Sequence, residues 1–167
     1  NEVNAAMGII CATPTAGSSG TIPGVLFKLE KTHDLTEDQM VDFLFTSALF
    51  GRVVANNASV AGATGGCQAE VGSASAMAAA ASVAIFKGTP EQSGHAMALA
   101  ISNLLGLVCD PVAGLVEIPC VMRNAIGSGN ALISADLALA GVESRIPVDE
   151  VIGAMDRVGR NLPASLR

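Results

Sequence analysis

The residues with the greatest chemical potential in this 167-residue chain are its four cysteines, Cys11, Cys67, Cys109 and Cys120. Cys67 follows two glycines, Cys109 precedes Asp110-Pro111, and Cys120 follows Ile118-Pro119. These three thiols are expected in or beside turns, where backbone N–H groups can point at a ligand. Cys11 has no special context and reads as core. The spacing is wide, with Cys109 lying 42 residues after Cys67 and Cys120 a further 11 on, and no CxxC pair occurs. Residue type leaves three readings open. The thiols are small buried hydrophobes, or they join His33 or His95 in a Cys₃His zinc site. In the third reading, three cysteines hold an iron–sulfur cluster and leave one iron open to a ligand. Structural zinc ligands usually come in close pairs, which disfavours the second. His95, among Ala96, Met97 and Ala98, reads as a helix-packing residue, and His33 beside Asp34 as a solvated one.

A second candidate is the stretch Thr13-Pro14-Thr15-Ala16-Gly17-Ser18-Ser19-Gly20. Small hydroxyls and glycines can wrap an anion, or simply cap a turn. The stretch lacks the lysine of a nucleotide-binding loop, so ATP is disfavoured. Arg123-Asn124 is suited to clamping a carboxylate, the arginine through its fork and Asn124 through its amide. Arg123 is equally suited to pairing with Glu117 or Glu143.

The elements that must position these residues read as helices. Half of the chain is apolar, Tyr and Trp are absent and Phe numbers five, so small side chains dominate. That composition favours closely packed helices: an all-α fold, one compact domain over 1–167, six to eight helices, and irregular Gly/Pro-rich loops carrying the cysteines. Residues 11–24 and 61–70 read as loops, and 25–30 has no assignable period. Asp34 or Thr36 caps a helix through Met40, Phe43 and Ser47 that Gly51 bends or ends. An Ala-rich helix runs to Phe86. Thr89-Pro90-Glu91-Gln92 starts another that reaches about Leu107. Residues 110–119 read as irregular, and two helices divided near Gly127–Gly129 follow. A last helix runs from about Pro147 to Gly159.

A net charge of −6 and a pI near 4.7 argue against a nucleic-acid binder, and no basic run suits a membrane surface. Val71–Phe86 is apolar but contains three serines and is shorter than the roughly 20 residues a bilayer needs, so it reads as a buried helix. No signal peptide is visible, which points to the cytoplasm. Asn1–Ile10 reads as the end of a helix begun earlier, and the chain as a piece of a longer protein.

Long segments carry a resemblance. NEVNAAMG, CATPTAGSSGTIPGVL, GATGGCQAEVGSASAMAAAA, HAMALAISNLLGLVCDPVAGLVEIPCVMRNAIG and ALAGVESRIPVDEVIGAM closely resemble the catalytic α portion of bacterial iron–sulfur L-serine dehydratases, over essentially the whole chain. The resemblance implies conversion of L-serine to pyruvate and ammonia without pyridoxal phosphate. It maps the ligands of a [4Fe–4S] cluster onto Cys67, Cys109 and Cys120. It also implies a separate β portion, so this piece alone is expected to be inactive. Thr13, Thr15, Ser18, Ser19 and Asn124 are the expected substrate contacts, with His95 a weaker candidate for proton transfer. Self-association is expected as well. The rival reading is a helical domain with a structural or redox-sensing cysteine-bound metal and no catalysis of its own.

Overall fold

A computed structural model of the chain describes residues 1–109 and 118–167, together with the backbone of Glu117. Its helices are α1 (Glu2–Ala5), α2 (Thr21–His33), α3 (Glu37–Asn57), α4 (Gly62–Gly65), α5 (Ser73–Ile85), α6 (Pro90–Asn103), α7 (Glu117–Leu139) and α8 (Val148–Asn161). A π-turn, Gln68–Gly72, leads directly into α5, and a 3₁₀ turn spans Ala164–Leu166. Among the described residues there is no strand, as the composition predicts. Of the stretch 110–119 expected to be irregular, Glu117, Ile118 and Pro119 instead begin α7, and 110–116, including the Asp110-Pro111 break, lies outside the described residues.

The fold is organised around α5. Every α5 residue except Ala84 is buried, and α2, α3, α6 and α7 all pack on it. A helix apolar on all sides must be enclosed, and alanines let its neighbours approach closely. Two of its serines are hydrogen-bonded, Ser82 Oγ donating to Ala78 O at 2.7 Å and Ser75 Oγ to Gly127 O at 2.8 Å, whereas the buried Ser73 Oγ has no partner. No helix among the described residues is long and apolar enough to cross a membrane.

Helix starts follow the local signals. Thr36 with Gln39, and Thr89 with Gln92, each form a complete capping box, and Pro90 occupies the first turn of α6. Elsewhere the structure corrects the sequence reading. Helix α2 begins at Thr21, inside the stretch read as loop, and Pro23 is tolerated because first-turn N–H groups need no intrahelical partner. Gly51 does not end α3, and Gly127–Gly129 do not divide α7. Both glycines serve close packing instead. A Cβ on Gly51 would meet Met77 Cε at 2.6 Å, and one on Gly127 would meet Val71 Cγ1 at 2.7 Å. Helix α6 stops at Asn103, and Gly106, at φ +84°, turns the chain toward Cys109.

Candidate metal centre

The two glycines before Cys67 bring it to the centre. Gly66 stands at φ +76°, and a Cβ there would lie 2.8 Å from Leu162 Cδ1 and 3.0 Å from Leu107 O. Only glycine meets both demands. Cys67 then heads a helix rather than sitting in a loop, because the expected loop over 61–70 is helical on both sides of Gly66. Gln68, 1% exposed, fixes the π-turn. Its backbone N–H donates to Leu107 O (2.9 Å), its Nε2 donates to Met155 O (2.9 Å), and its Oε1 accepts from Gly106 N–H (2.8 Å). One side chain thus ties the start of the α5 helix to the segment before Cys109 and to α8. Cys109 is half-buried, and its N–H donates to Leu166 O at 2.9 Å. Cys120 is buried in the first turn of α7.

These elements converge. Ligand atoms of Cys67, Glu70 and Cys120 all lie within 4.8 Å of one another. Cys109 is not part of that group of ligand atoms, although its charge is a small contributor to raising the Cys120 pKa. The Cys67 thiol is lowered to about 7, chiefly because the Cys120 thiol donates to its sulfur and secondarily through Arg123; burial and Glu70 oppose this. Cys120 is raised in turn by holding that proton, and by burial. Arg123 Nη1 donates to Cys67 Sγ at 3.1 Å and to Val108 O at 2.6 Å, so this guanidinium faces the thiols. The side chain of Glu117, one of the two carboxylates suggested as its partner, lies outside the described residues.

Glu70 is the site residue that sequence reasoning missed. It lies three positions after Cys67, on the same side of a helical turn. That signal was hidden by reading 61–70 as loop. Thr15 Oγ1 donates to Glu70 Oε2 at 2.7 Å, which joins the hydroxyl loop to the cysteines. Within the loop, Ser18 is buried and its Oγ donates to Thr13 O at 3.1 Å. Ser19 Oγ donates to Asn1 Oδ1 at 3.4 Å. The Thr13 hydroxyl is buried with no hydrogen-bond partner.

Asn124, 4% exposed, fastens this loop to α7. Its Nδ2 donates to Gly17 O and Cys120 O, both at 2.7 Å, and its Oδ1 accepts from Gly20 N–H and Thr21 Oγ1, both at 3.0 Å. Every hydrogen-bonding position of its amide is used. His95 lies elsewhere, on the second turn of α6, with Nδ1 accepting from Ser144 N–H at 3.2 Å. His33 is exposed and meets the Phe86 ring edge-on at 4.8 Å between centroids. Cys11, read as core, is exposed instead. It borders an apolar groove of about 770 Å³ with Ile9, Phe27 and Leu44, because the segment before α2 runs over the surface.

The donor set suits a metal group. Clustered thiols with one held near neutrality, a guanidinium against the sulfur, and an orphaned hydroxyl in the adjoining loop all fit a bound thiophilic metal and a polar ligand.

The chain is similar to several known proteins. A protein named probable L-serine dehydratase, alpha chain, from Bacillus subtilis (strain 168) is 66% identical over 167 residues, covering 100% of this chain and 56% of that protein. Its namesake from Latilactobacillus sakei is 67% identical, covering 100% and 80%. The L-serine dehydratase, alpha chain, of Peptoniphilus asaccharolyticus is 54% identical, covering 100% and 57%. The chain thus spans just over half the length of the first and third of these relatives. The family model described as serine dehydratase alpha chain matches residues 1–167, and the chain belongs to that family.

Proposed function

We propose that this chain is the catalytic α portion of an L-serine dehydratase that converts L-serine to pyruvate and ammonia, with Cys67, Cys109 and Cys120 holding a [4Fe–4S] cluster. The observation that carries the reading is the convergence of Cys67 and Cys120 on a hydroxyl-rich loop, in a chain of this family; Cys109 is assigned as the third ligand from the family resemblance. When bound, the cluster supplies a Lewis acid that drains charge from a hydroxyl oxygen, a poor leaving group otherwise. No pyridoxal phosphate is needed for that.

The chain's own residues do the rest of the work assigned here. Arg123 balances thiolate charge at Cys67. Thr13, Thr15, Ser18 and Ser19 form the wall that orients substrate, and the Thr13 hydroxyl is placed to donate to it. Asn124 acts on substrate through that wall, by fastening it to the turn that carries Cys120. His95 supports the α7–α8 connection rather than proton transfer. Four cysteines, none of them in a disulfide, suit a reducing, cytoplasmic setting. Exposed apolar residues along α3 (Val41, Phe45, Leu49) and α7 (Ile118, Met122, Ile126) support burial against a β portion or a second copy.

The test is anaerobic reconstitution of the full-length protein with iron and sulfide, followed by assay of iron, acid-labile sulfide and pyruvate formation. Ala at Cys67, Cys109 or Cys120 should each abolish cluster retention and turnover, while Cys11→Ala should abolish neither. Equal loss at all four cysteines refutes the ligand assignment. Stable metal without labile sulfide, and no serine turnover, would favour a structural or redox-sensing metal instead.

A further inference from the structure

We propose that Glu70 receives the α-ammonium group of the substrate and so selects amino acids over hydroxy acids at this site. The inference rests on the reading of the site as one that acts on a β-hydroxy amino acid.

Placement is the first support. Among the described residues, Glu70 is the carboxylate whose oxygen lies within 4.8 Å of the Cys67 and Cys120 sulfurs. In a β-hydroxy amino acid the hydroxyl and the ammonium sit on adjacent carbons. A substrate whose hydroxyl is held at the thiol-bound metal therefore brings its ammonium within reach of a carboxylate beside the thiols.

Fixed orientation is the second. Thr15 Oγ1 donates to Oε2 at 2.7 Å, which leaves Oε1 to accept from another donor. Two glycines make room for the group. A Cβ on Gly17 would collide with Oε1 and stand 2.8 Å from Cδ, and one on Gly62 would stand 3.4 Å from Cδ. A carboxylate held by a hydroxyl donor and by close backbone is a preorganised anion, suited to an ion pair with a cationic group. The π-turn at Gln68–Gly72 adds to this, because such turns re-aim side chains at functional sites. Charge is the third support. A zwitterion needs a donor for its carboxylate and an anion for its ammonium, and the unpartnered Thr13 hydroxyl lies in the loop that Thr15 joins to Glu70.

The experiment uses the full-length, cluster-loaded enzyme and compares L-serine with 3-hydroxypropanoate, in which hydrogen replaces the ammonium. Glu70→Gln should raise KM for L-serine, and its dissociation constant by calorimetry, about 10- to 100-fold. The inhibition constant of 3-hydroxypropanoate should stay within about twofold, which also shows that the variant folds. Gly17→Ala, which drives the carboxylate aside, should weaken L-serine in the same direction. Parallel loss of both ligands overturns the proposal, as does an unchanged KM, with or without a fall in kcat. Wild-type enzyme that neither binds nor turns over L-serine overturns the underlying functional reading, whatever the variants do.

Discussion

Removing the Asn124 amide tests whether this residue holds the loop or only touches substrate. Asn124→Ala deletes two donor bonds of 2.7 Å and two acceptor bonds of 3.0 Å. Each is worth about 1 kcal/mol net, and a buried group left without a partner costs roughly 1–3 kcal/mol more. Thr21 is fully buried, so its hydroxyl cannot turn to solvent once Oδ1 is gone. A total of about 5–7 kcal/mol follows, equivalent to a fall in Tm of roughly 10–28 °C for a chain of this size. Asn124→Asp keeps an acceptor toward Gly20 and Thr21 but sets a carboxylate oxygen against Gly17 O and Cys120 O. It should be no more stable than the alanine variant. Thermal melts by far-UV circular dichroism and urea titrations read both. If both variants melt within about 3 °C of wild type while KM for L-serine rises, the loop-fastening role is refuted and a direct substrate contact takes its place.

Two further predictions concern packing and pH. Gly159→Ala would set a Cβ 2.8 Å from Gly65 Cα, where neither backbone can rotate away, so a loss of about 1–3 kcal/mol and weaker iron retention at neighbouring Cys67 are expected. Gly51→Ala meets only the flexible tip of Met77 and gains helix propensity of about 0.5–1 kcal/mol, so its Tm should hardly move; equal losses at the two sites would contradict this packing argument. Glu91 lies below its ordinary value of 4.5, through its own backbone N–H first and the Thr89 hydroxyl second. Its folded-state pKa is depressed, so its contribution is present above 4.5 and is lost as pH falls through the folded value. Urea midpoints across the acid range should therefore flatten in Glu91→Gln, and an unchanged acid limb would refute the assignment.

Read by itself, the sequence determined whatever depends on near neighbours. The capping box at Thr89–Gln92 is complete within four residues, so it was legible, and Thr36 was one of two caps the sequence offered for α3. So was the burial of α5, since a helix without a polar face has nowhere else to go. The three cysteines stood out by their turn-rich settings, and the long segments around them identified the family. Tertiary structure decided the rest. Whether a glycine ends a helix depends on what packs against it, and Met77 at Gly51 and Val71 at Gly127 lie far off in sequence. The exposure of Cys11 depends on a surface path that local composition does not encode. Glu70 was not singled out in the sequence, and folding brings Thr15, 55 residues away, onto its oxygen. Asn124 likewise became the clasp between a distant loop and Cys120 through contacts spanning more than a hundred residues. Such long-range contacts form only when the helices close around α5, which is why the ligand types were readable beforehand and the site that joins them was not.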